Sequence, residues 1–196
     1  MVSKRSIESA RRKSAKTGVL DLRDGDNIAL ENEFTCVVNG REVSITVGAT
    51  TTLLDVLRDK LGIMSPKRGC STGDCGACTV LVDGKPRKSC ITLALTVSGK
   101  EITTLEGIGS SSSLHPLQTS FVNAGATQCG FCSPGMILSA KALLDRVVSP
   151  TREEIIEAIS GNLCRCTGYV KIIDAILMAA DELRSEASEQ PRGSNG

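Results

Sequence analysis

The spacing of the cysteines constrains this chain more than any other feature of its 196 residues. Cys70, Cys75 and Cys78 form a C-x4-C-x2-C motif, and Cys90 follows after eleven intervening residues. This spacing is typical of plant-type [2Fe-2S] sites, in which one loop provides three thiolates and a later segment provides the fourth. A structural zinc site is the alternative, but such sites usually use two C-x2-C pairs, and this set contains only one.

A second set of four cysteines lies in the C-terminal half of the chain. Cys129 and Cys132 form a C-x2-C pair, Cys164 and Cys166 form a C-x-C pair, and each pair comes just before a predicted helix. The N-terminus of a helix presents unpaired N–H groups and the positive end of the helix dipole, which stabilise an anionic cluster. We therefore predict a second cluster here. Zinc remains an alternative, although the C-x-C spacing is uncommon in zinc modules.

Disulfide formation competes with metal binding, and the compartment decides between them. Arg11, Arg12 and Lys13 could belong to a twin-arginine export signal, but no apolar segment of about 7 to 15 residues follows them. We therefore expect a cytoplasmic protein with reduced cysteines. Because no apolar run approaches the roughly 20 residues that span a bilayer, no membrane-spanning segment is predicted.

Composition indicates a globular chain with aliphatic cores, since 40% of the residues are hydrophobic but there are only three Phe, one Tyr and no Trp. The length suffices for two small domains. A net charge of +1 gives no overall field that would attract nucleic acid. Neither a P-loop nor a dinucleotide fingerprint occurs in the sequence, so nucleotide and FAD binding are expected on other chains.

The first half of the chain has the strand and turn patterns of a small β-sheet. Strand patterns begin at Phe34, and Asn39-Gly40 and Asp83-Gly84 are typical of tight hairpin turns. Thr51 or Thr52 can cap one helix with a leucine stripe. Strands, one helix and a long glycine-rich cysteine loop favour a β-grasp fold. The loop glycines are expected to let the backbone approach the sulfurs, and they are Gly69, Gly73 and Gly76.

The second half has helical periodicity after a serine run at residues 110–113. Helix-start signals lie at Pro116, at Ser133-Pro134 with Ser133 as the predicted N-cap, and at Thr151, and a fourth apolar pattern begins near Tyr169. Together they predict four helices. The predicted fold class is α+β, with an N-terminal β-grasp, plant-type ferredoxin domain followed by an all-α four-helix [2Fe-2S] bundle domain. The predicted segments are a flexible basic arm (1–31), the ferredoxin-like domain (32–107), the helical domain (108–184) and a disordered tail (185–196).

Three segments contain the cysteine motifs with their neighbours: residues 67–78 (KRGCSTGDCGAC), 128–136 (QCGFCSPGM) and 161–169 (GNLCRCTGY). Together they resemble the small iron-sulfur subunit of the xanthine oxidase, or molybdenum hydroxylase, family. The resemblance extends from about Phe34 to Leu183. Because three motifs occur in the family's order at family-like intervals, chance is a poor explanation.

The resemblance implies an electron-transfer subunit of a molybdopterin-dependent hydroxylase or dehydrogenase of the prokaryotic heterotrimeric type. A large subunit would carry molybdopterin, expected as the cytosine dinucleotide, and a medium subunit would carry FAD, in a dimer of heterotrimers. The cluster on the second cysteine set would lie nearer molybdenum and the other nearer the flavin, so single electrons would pass through both to FAD. This chain would perform no bond chemistry, and substrate selection would belong to the large subunit.

We also predict the contacts or the location of five further residues. The resemblance implies that Gln128 and Cys166 contact the molybdopterin; a loop amide bonded to backbone is the alternative for Gln128. Arg165 could raise a cluster potential, dock a partner subunit or face solvent. Cys36 is expected to be a buried free thiol. His115, the single histidine, is expected to cap a helix or lie on the surface.

Two other functions stay open from the sequence. A free-standing ferredoxin-type carrier accounts for the first cysteine set but leaves the second without a purpose. A zinc-stabilised interaction module would be colourless, whereas two [2Fe-2S] clusters would give a brown protein that holds about four irons.

Overall fold

The computed structural model describes residues 31–110 and 112–189. The predicted basic arm lies outside this range except for Glu31, which is the first residue of a strand. The strands are β1 (Glu31–Val38), β2 (Arg41–Gly48), β3 (Thr79–Val82), β4 (Lys85–Lys88) and β5 (Glu101–Thr103), and the helices are α1 (Leu53–Asp55), α2 (Pro116–Asn123), α3 (Ser133–Leu144), α4 (Arg152–Ile159) and α5 (Val170–Glu189). In this part of the chain, no helix is both long and apolar enough to cross a bilayer.

Two tight hairpins form where the sequence predicts them. Asn39 and Gly40 have φ of 50° and 76° between β1 and β2, and Asp83 and Gly84 have φ of 49° and 73° between β3 and β4. Positive φ at both central residues is the requirement of a type I′ turn. The strands form one mixed sheet in the order β2-β1-β5-β3-β4, in which only β1 and β5 pair in parallel.

The predicted helix after β2 is confirmed, but its second half is wider than an α-helix. Thr52 is its N-cap and forms a capping box with Asp55. Immediately after α1 the chain continues as a π-helical turn, Val56–Lys60. The N–H of Leu61 bonds there to the carbonyl five residues back, at 3.0 Å.

Strand β3 joins the two halves of the molecule because both of its faces are covered. All four of its residues are buried, without the alternation of a half-exposed strand. Val80 and Val82 pack into the core that the sheet shares with α1. Leu81 packs on the other face against Leu138 and Ala142 of α3. A strand with two covered faces is rich in apolar residues throughout, as this one is.

The helices α2 to α5 share a second, aliphatic core. Its fully buried members include Leu117, Phe121, Met136, Ala140, Ile155, Ile172 and Ile176. His115 caps α2 by accepting a hydrogen bond from the N–H of Leu117, which confirms the capping expectation. Thr151 caps α4 through a capping box with Glu154, also as predicted.

The start of α3 and the end of α5 differ from prediction. Helix α3 begins at Ser133 with Cys132 as N-cap, rather than with Ser133 as the cap, because the Cys132 carbonyl already accepts the N–H of Met136. Helix α5 extends to Glu189, so residues 185–189 are helical where a disordered tail is predicted. The Ser185 hydroxyl bonds to the Asp181 carbonyl, and neither Gly nor Pro interrupts the helix there. Residues 190–196 lie outside the described range.

One carboxylate ties the segment before the cysteine loop to the end of β5. Glu106 accepts hydrogen bonds from the Ser65 N–H at 2.9 Å, from the Ser65 hydroxyl at 2.5 Å and from the Thr104 hydroxyl at 2.6 Å. Burial acts to raise the pKa of Glu106, but the hydrogen bonds from Ser65 and Thr104 outweigh it and lower the pKa. The ionised side chain therefore stabilises this junction at neutral pH.

We expect Glu106→Ala to destabilise the fold by about 1–2 kcal/mol, because it leaves the buried Ser65 and Thr104 hydroxyls without this acceptor. The measurement is thermal unfolding of the purified protein followed by far-UV circular dichroism. Glu101→Ala is the matched control, since that side chain is exposed on β5. Equal unfolding midpoints for the two variants would contradict this role of Glu106.

Candidate metal centres

Cys70 lies in the irregular segment before β3, and two backbone N–H groups point at its sulfur. The N–H groups of Thr72 and Cys75 each donate to Cys70 Sγ at 3.4 Å. Ser71 has a φ of 60°, so the chain curls around the sulfur. The hydrogen bonds from the Cys75 backbone and from Thr72 lower the pKa of Cys70 to about 5. This sulfur is therefore a thiolate at neutral pH and ready to bind metal.

The three glycines that are expected to admit the backbone to the sulfurs differ in what they contact. A Cβ on Gly69 would lie 2.7 Å from Cys75 Sγ, so this glycine does allow a close approach to sulfur. The N–H of Gly73 bonds to the Cys90 sulfur and acts to lower its pKa. Gly76 also has a second role, because a Cβ there would overlap the Gly161 carbonyl oxygen in the second cysteine region. Its approach to sulfur stays a prediction.

Cys78 and Cys90 are buried together beside the sheet. Cys78 directly precedes β3, Cys90 lies in a 3-10 turn after β4, and both pack against Leu54. The Ser89 hydroxyl donates to the Cys78 carbonyl at 2.7 Å and fixes the turn. Burial, and then the neighbouring Cys78 sulfur, raise the pKa of Cys90 to about 11. A bound cation would be needed to hold this thiol in its ionised form at neutral pH.

The second cysteine set lies at the starts of α3 and α5, as predicted. Cys129 and Cys166 are exposed, with their sulfurs 3.6 Å apart. Cys132 and Cys164 are half-buried. Burial, followed by the nearby Cys164 sulfur, raises the pKa of Cys132 to about 12. Burial acts to raise the pKa of Cys164, but hydrogen bonds from Thr167 and from the Cys166 backbone lower it overall.

Each set of four cysteines is arranged as two neighbouring pairs. The pairs are Cys70 with Cys75, Cys78 with Cys90, Cys129 with Cys166, and Cys132 with Cys164. Within residues 31–110 and 112–189, no three His, Cys, Asp or Glu side chains are close enough to bind one metal ion. A [2Fe-2S] cluster needs two thiolates for each iron. The paired arrangement in each set therefore fits the ligand requirement of a [2Fe-2S] cluster.

The two cysteine regions are in direct contact. The N–H of Leu163, next to Cys164, donates to the carbonyl of Cys75 at 2.9 Å. Gly76 lies so close to Gly161 that a side chain on Gly76 would overlap the Gly161 carbonyl oxygen. The structure thus places the first cysteine loop, at Cys75 and Gly76, directly against the segment that leads into Cys164.

The other predicted residues are two exposed side chains and one buried thiol. Gln128 and Arg165 are exposed, each adjacent in sequence to one member of the exposed Cys129–Cys166 pair. Cys36 is buried in β1, and burial raises its pKa to about 11, which agrees with an inert thiol. Its place in the sheet core separates it from both cysteine sets.

Sequence reasoning did not single out Asn162 or Tyr169 as site residues. The Tyr169 hydroxyl accepts a hydrogen bond from the Cys164 N–H at 2.9 Å and donates to the Asn162 carbonyl at 3.4 Å. Tyr169 has a φ of 68°, which turns the chain back over Cys164. The chain's single tyrosine, five residues after a predicted ligand, was the available signal. No comparable signal distinguished Asn162 from an ordinary helix-end asparagine.

Two family models match the two halves of the chain. A 2Fe-2S iron-sulfur cluster binding domain matches residues 36–104, and a [2Fe-2S] binding domain matches residues 104–177. The nicotinate dehydrogenase small FeS subunit of Eubacterium barkeri is 51% identical over 74% of this chain and 92% of its own length. The nicotine 6-hydroxylase small subunit of Paenarthrobacter nicotinovorans is 48% identical over 77% of this chain and 91% of its own.

Solved structures agree with the sequence matches. A chain of quinoline 2-oxidoreductase from Pseudomonas putida 86 is 42% identical, with a TM-score of 0.75 over 79% of this chain and 97% of that one. The aldehyde oxidoreductase from Desulfovibrio desulfuricans is 47% identical, with a TM-score of 0.77 over 79% of this chain and 17% of that longer protein. The chain therefore belongs to the family of small iron-sulfur subunits of the molybdenum hydroxylases and, as such, is the electron-transferring iron-sulfur subunit of an oxidoreductase.

Proposed function

We propose that this chain holds two [2Fe-2S] clusters and relays single electrons from a molybdenum centre on a large subunit to FAD on a medium subunit. The proposed ligands of the cluster nearer the flavin are Cys70, Cys75, Cys78 and Cys90, and those of the cluster nearer molybdenum are Cys129, Cys132, Cys164 and Cys166. What the clusters supply when bound is one-electron oxidation and reduction. No residue of this chain is proposed to act on the substrate.

The observation that carries the proposal is the arrangement of eight thiols as two adjacent sets, each made of two pairs. Two pairs of thiols match the two irons of a [2Fe-2S] cluster. Two sets that lie side by side allow electrons to pass from one cluster to the other. The Leu163 N–H···O=C Cys75 hydrogen bond connects the two sets through a few covalent bonds and one hydrogen bond. A free-standing carrier would need only one set, so the second set favours a subunit that receives electrons at one face and releases them at another.

The protein's own groups prepare the first site for an anionic cluster. The N–H groups of Thr72, Cys75 and Gly73 point at sulfurs of the first set. Hydrogen bonds to sulfur favour the more negative, reduced form and so raise the potential. For a one-electron couple, about 59 mV changes the equilibrium tenfold, so these few bonds can decide on which site an electron rests.

The exposed Cys129–Cys166 pair is the face that we assign to the molybdopterin subunit. Gln128 and Cys166 are the proposed pterin contacts: the exposed amide can donate and accept, and the thiolate can accept. Arg165 beside them presents a positive charge at the same exposed segment. Gln128, Arg165 and Cys166 are all exposed in the isolated chain, so a partner subunit could cover them in the complex.

The proposed assembly follows from the family. We propose a cytoplasmic dimer of heterotrimers, with molybdopterin as its cytosine dinucleotide on the large subunit. Within this chain, we propose a β-grasp ferredoxin-like domain over residues 32–107 and a four-helix bundle domain over 108–184. Substrate choice is assigned to the large subunit.

The test is to isolate the tagged chain from its native host and to determine the native mass and cofactor content of what co-purifies. We expect two larger chains, with about one pterin and one flavin for each copy of this chain. A chain that purifies alone with iron would instead be a free carrier. A colourless chain that contains zinc would overturn the proposal in favour of an interaction module.

A further inference from the structure

Asn162 is a buried polar side chain at the point where three cysteine-bearing segments meet. It is only 3% exposed, and its amide is bonded on both sides. Nδ2 donates to the Gly76 carbonyl at 2.9 Å and to the Thr79 hydroxyl at 3.3 Å. Oδ1 accepts from the Ser139 hydroxyl of α3 at 2.8 Å. One amide therefore bonds to the first cysteine loop and to the helix that follows Cys132.

The space around this amide is shaped to fit it. A Cβ on Gly76 would lie 2.7 Å from Asn162 Nδ2, and one on Gly135 would lie 2.9 Å from the same atom. Both glycines are therefore needed to let the amide reach the Gly76 carbonyl. Such close packing around a bonded, buried amide fixes the position of the backbone that it touches.

The backbone that Asn162 fixes is the connection between the two cysteine sets. Gly76 follows Cys75, and Leu163 follows Asn162. The hydrogen bond from the Asn162 side chain to the Gly76 carbonyl therefore lies beside the hydrogen bond from the Leu163 N–H to the Cys75 carbonyl. If the Asn162 side chain no longer donated to Gly76, the backbone hydrogen bond from Leu163 to Cys75 would remain as the hydrogen bond between the two segments at this point. Leu163 is itself exposed. We would then expect the Leu163–Cys75 hydrogen bond to open more often.

We propose that Asn162 is a positioning residue for electron transfer between the two cysteine sets, acting by its donated hydrogen bond to Gly76. This inference rests on the proposed function. In the step concerned, one electron would leave a centre held by the second set, which would be oxidised, and would reduce a centre held by the first set. No bond forms or breaks and no proton is transferred, so the step depends on how well the two loops are coupled.

The test compares three variants of the complete complex. Asn162→Ala removes the amide, and Ser139→Ala removes only the bond to Oδ1. Asn162→Asp keeps the size of the side chain and is compared at alkaline pH, where the ionised carboxylate has acceptor oxygens but no donor. One electron is delivered by flash-photoreduced 5-deazariboflavin, and the redistribution between the two centres is followed by absorbance. Iron content, the midpoint potentials and the magnetic splitting of the dithionite-reduced centres are measured on the same samples.

We expect both Asn162 variants to keep about four irons per chain but to redistribute electrons about tenfold more slowly or worse, as displaced redox partners do. Their magnetic splitting should also decrease, whereas Ser139→Ala should resemble the unmodified protein. If the Asn162→Ala protein does not accumulate, Asn162→Asp alone tests whether the donated hydrogen bond affects electron transfer.

Native redistribution rates in Asn162→Asp at unchanged midpoint potentials would overturn the inference, because the donated bond would then be dispensable. A loss of rate that is fully explained by shifted potentials would also overturn it. Failure of the proposed function looks different, since the unmodified complex itself would then lack two reducible iron centres.

Discussion

Cys132→Ser is expected to halve the iron of the complex and to stop electrons from reaching the flavin. Cys132 is the N-cap of α3 and one of the two half-buried ligands proposed for the site nearer molybdenum. Serine is nearly isosteric, but its hydroxyl does not ionise at neutral pH and binds iron poorly, so the second site should lose its cluster. The first set is untouched, and about two irons per chain should remain.

The measurement combines iron analysis, the spectrum of the reduced protein and steady-state turnover with the natural acceptor. Cys36→Ala is the matched control, because it removes the ninth cysteine from the sheet core and should keep about four irons. Unchanged turnover in Cys132→Ser would contradict the proposed route through both sites. A Cys36→Ala protein that lost a centre would show that the ligand assignment is wrong.

Gly76→Ala is expected to be among the most damaging single-methyl changes in the chain. Gly76 has a φ of +68°, and an added Cβ would overlap the Gly161 carbonyl oxygen and press on the Asn162 amide. The left-handed conformation alone costs an alanine about 1–2 kcal/mol. Because the overlap is with backbone rather than a flexible side chain, we expect a total loss of at least about 3 kcal/mol.

Gly84→Ala separates the cost of the left-handed conformation from the cost of steric overlap. Gly84 has a φ of +73°, but nothing lies within 4 Å of its Cβ position, so only the conformational cost of about 1–2 kcal/mol should appear. Thermal unfolding of both variants measures the difference. Equal losses for Gly76→Ala and Gly84→Ala would show that the two cysteine regions are not packed as tightly as described.

The predictions that succeeded rest on local chemistry. Asn39-Gly40 and Asp83-Gly84 form hairpins because few dipeptides tolerate positive φ at both positions. Thr52 and Thr151 cap helices because each meets an acidic residue three positions later. The cysteine motifs predicted two metal-binding regions because thiol spacing reflects the geometry of the bound group.

The features that sequence reasoning missed depend on contacts between distant segments. Gly76 belongs to the first cysteine loop, but its carbonyl accepts from Asn162, 86 residues later. The apolar run of β3 agrees with two covered faces, but it does not show that α3 is the element that covers the second one. The end of α5 was missed because polar residues suit both a solvated helix and a disordered tail. No local pattern encodes these choices.

The measurement that tests the central claim most directly is iron and acid-labile sulfide analysis of the purified protein, followed by electron paramagnetic resonance after dithionite reduction. Two clusters on one chain predict about four irons and two distinct reduced signals that split each other. An iron-free, colourless protein, or a single reducible centre per chain, would contradict the presence of two clusters.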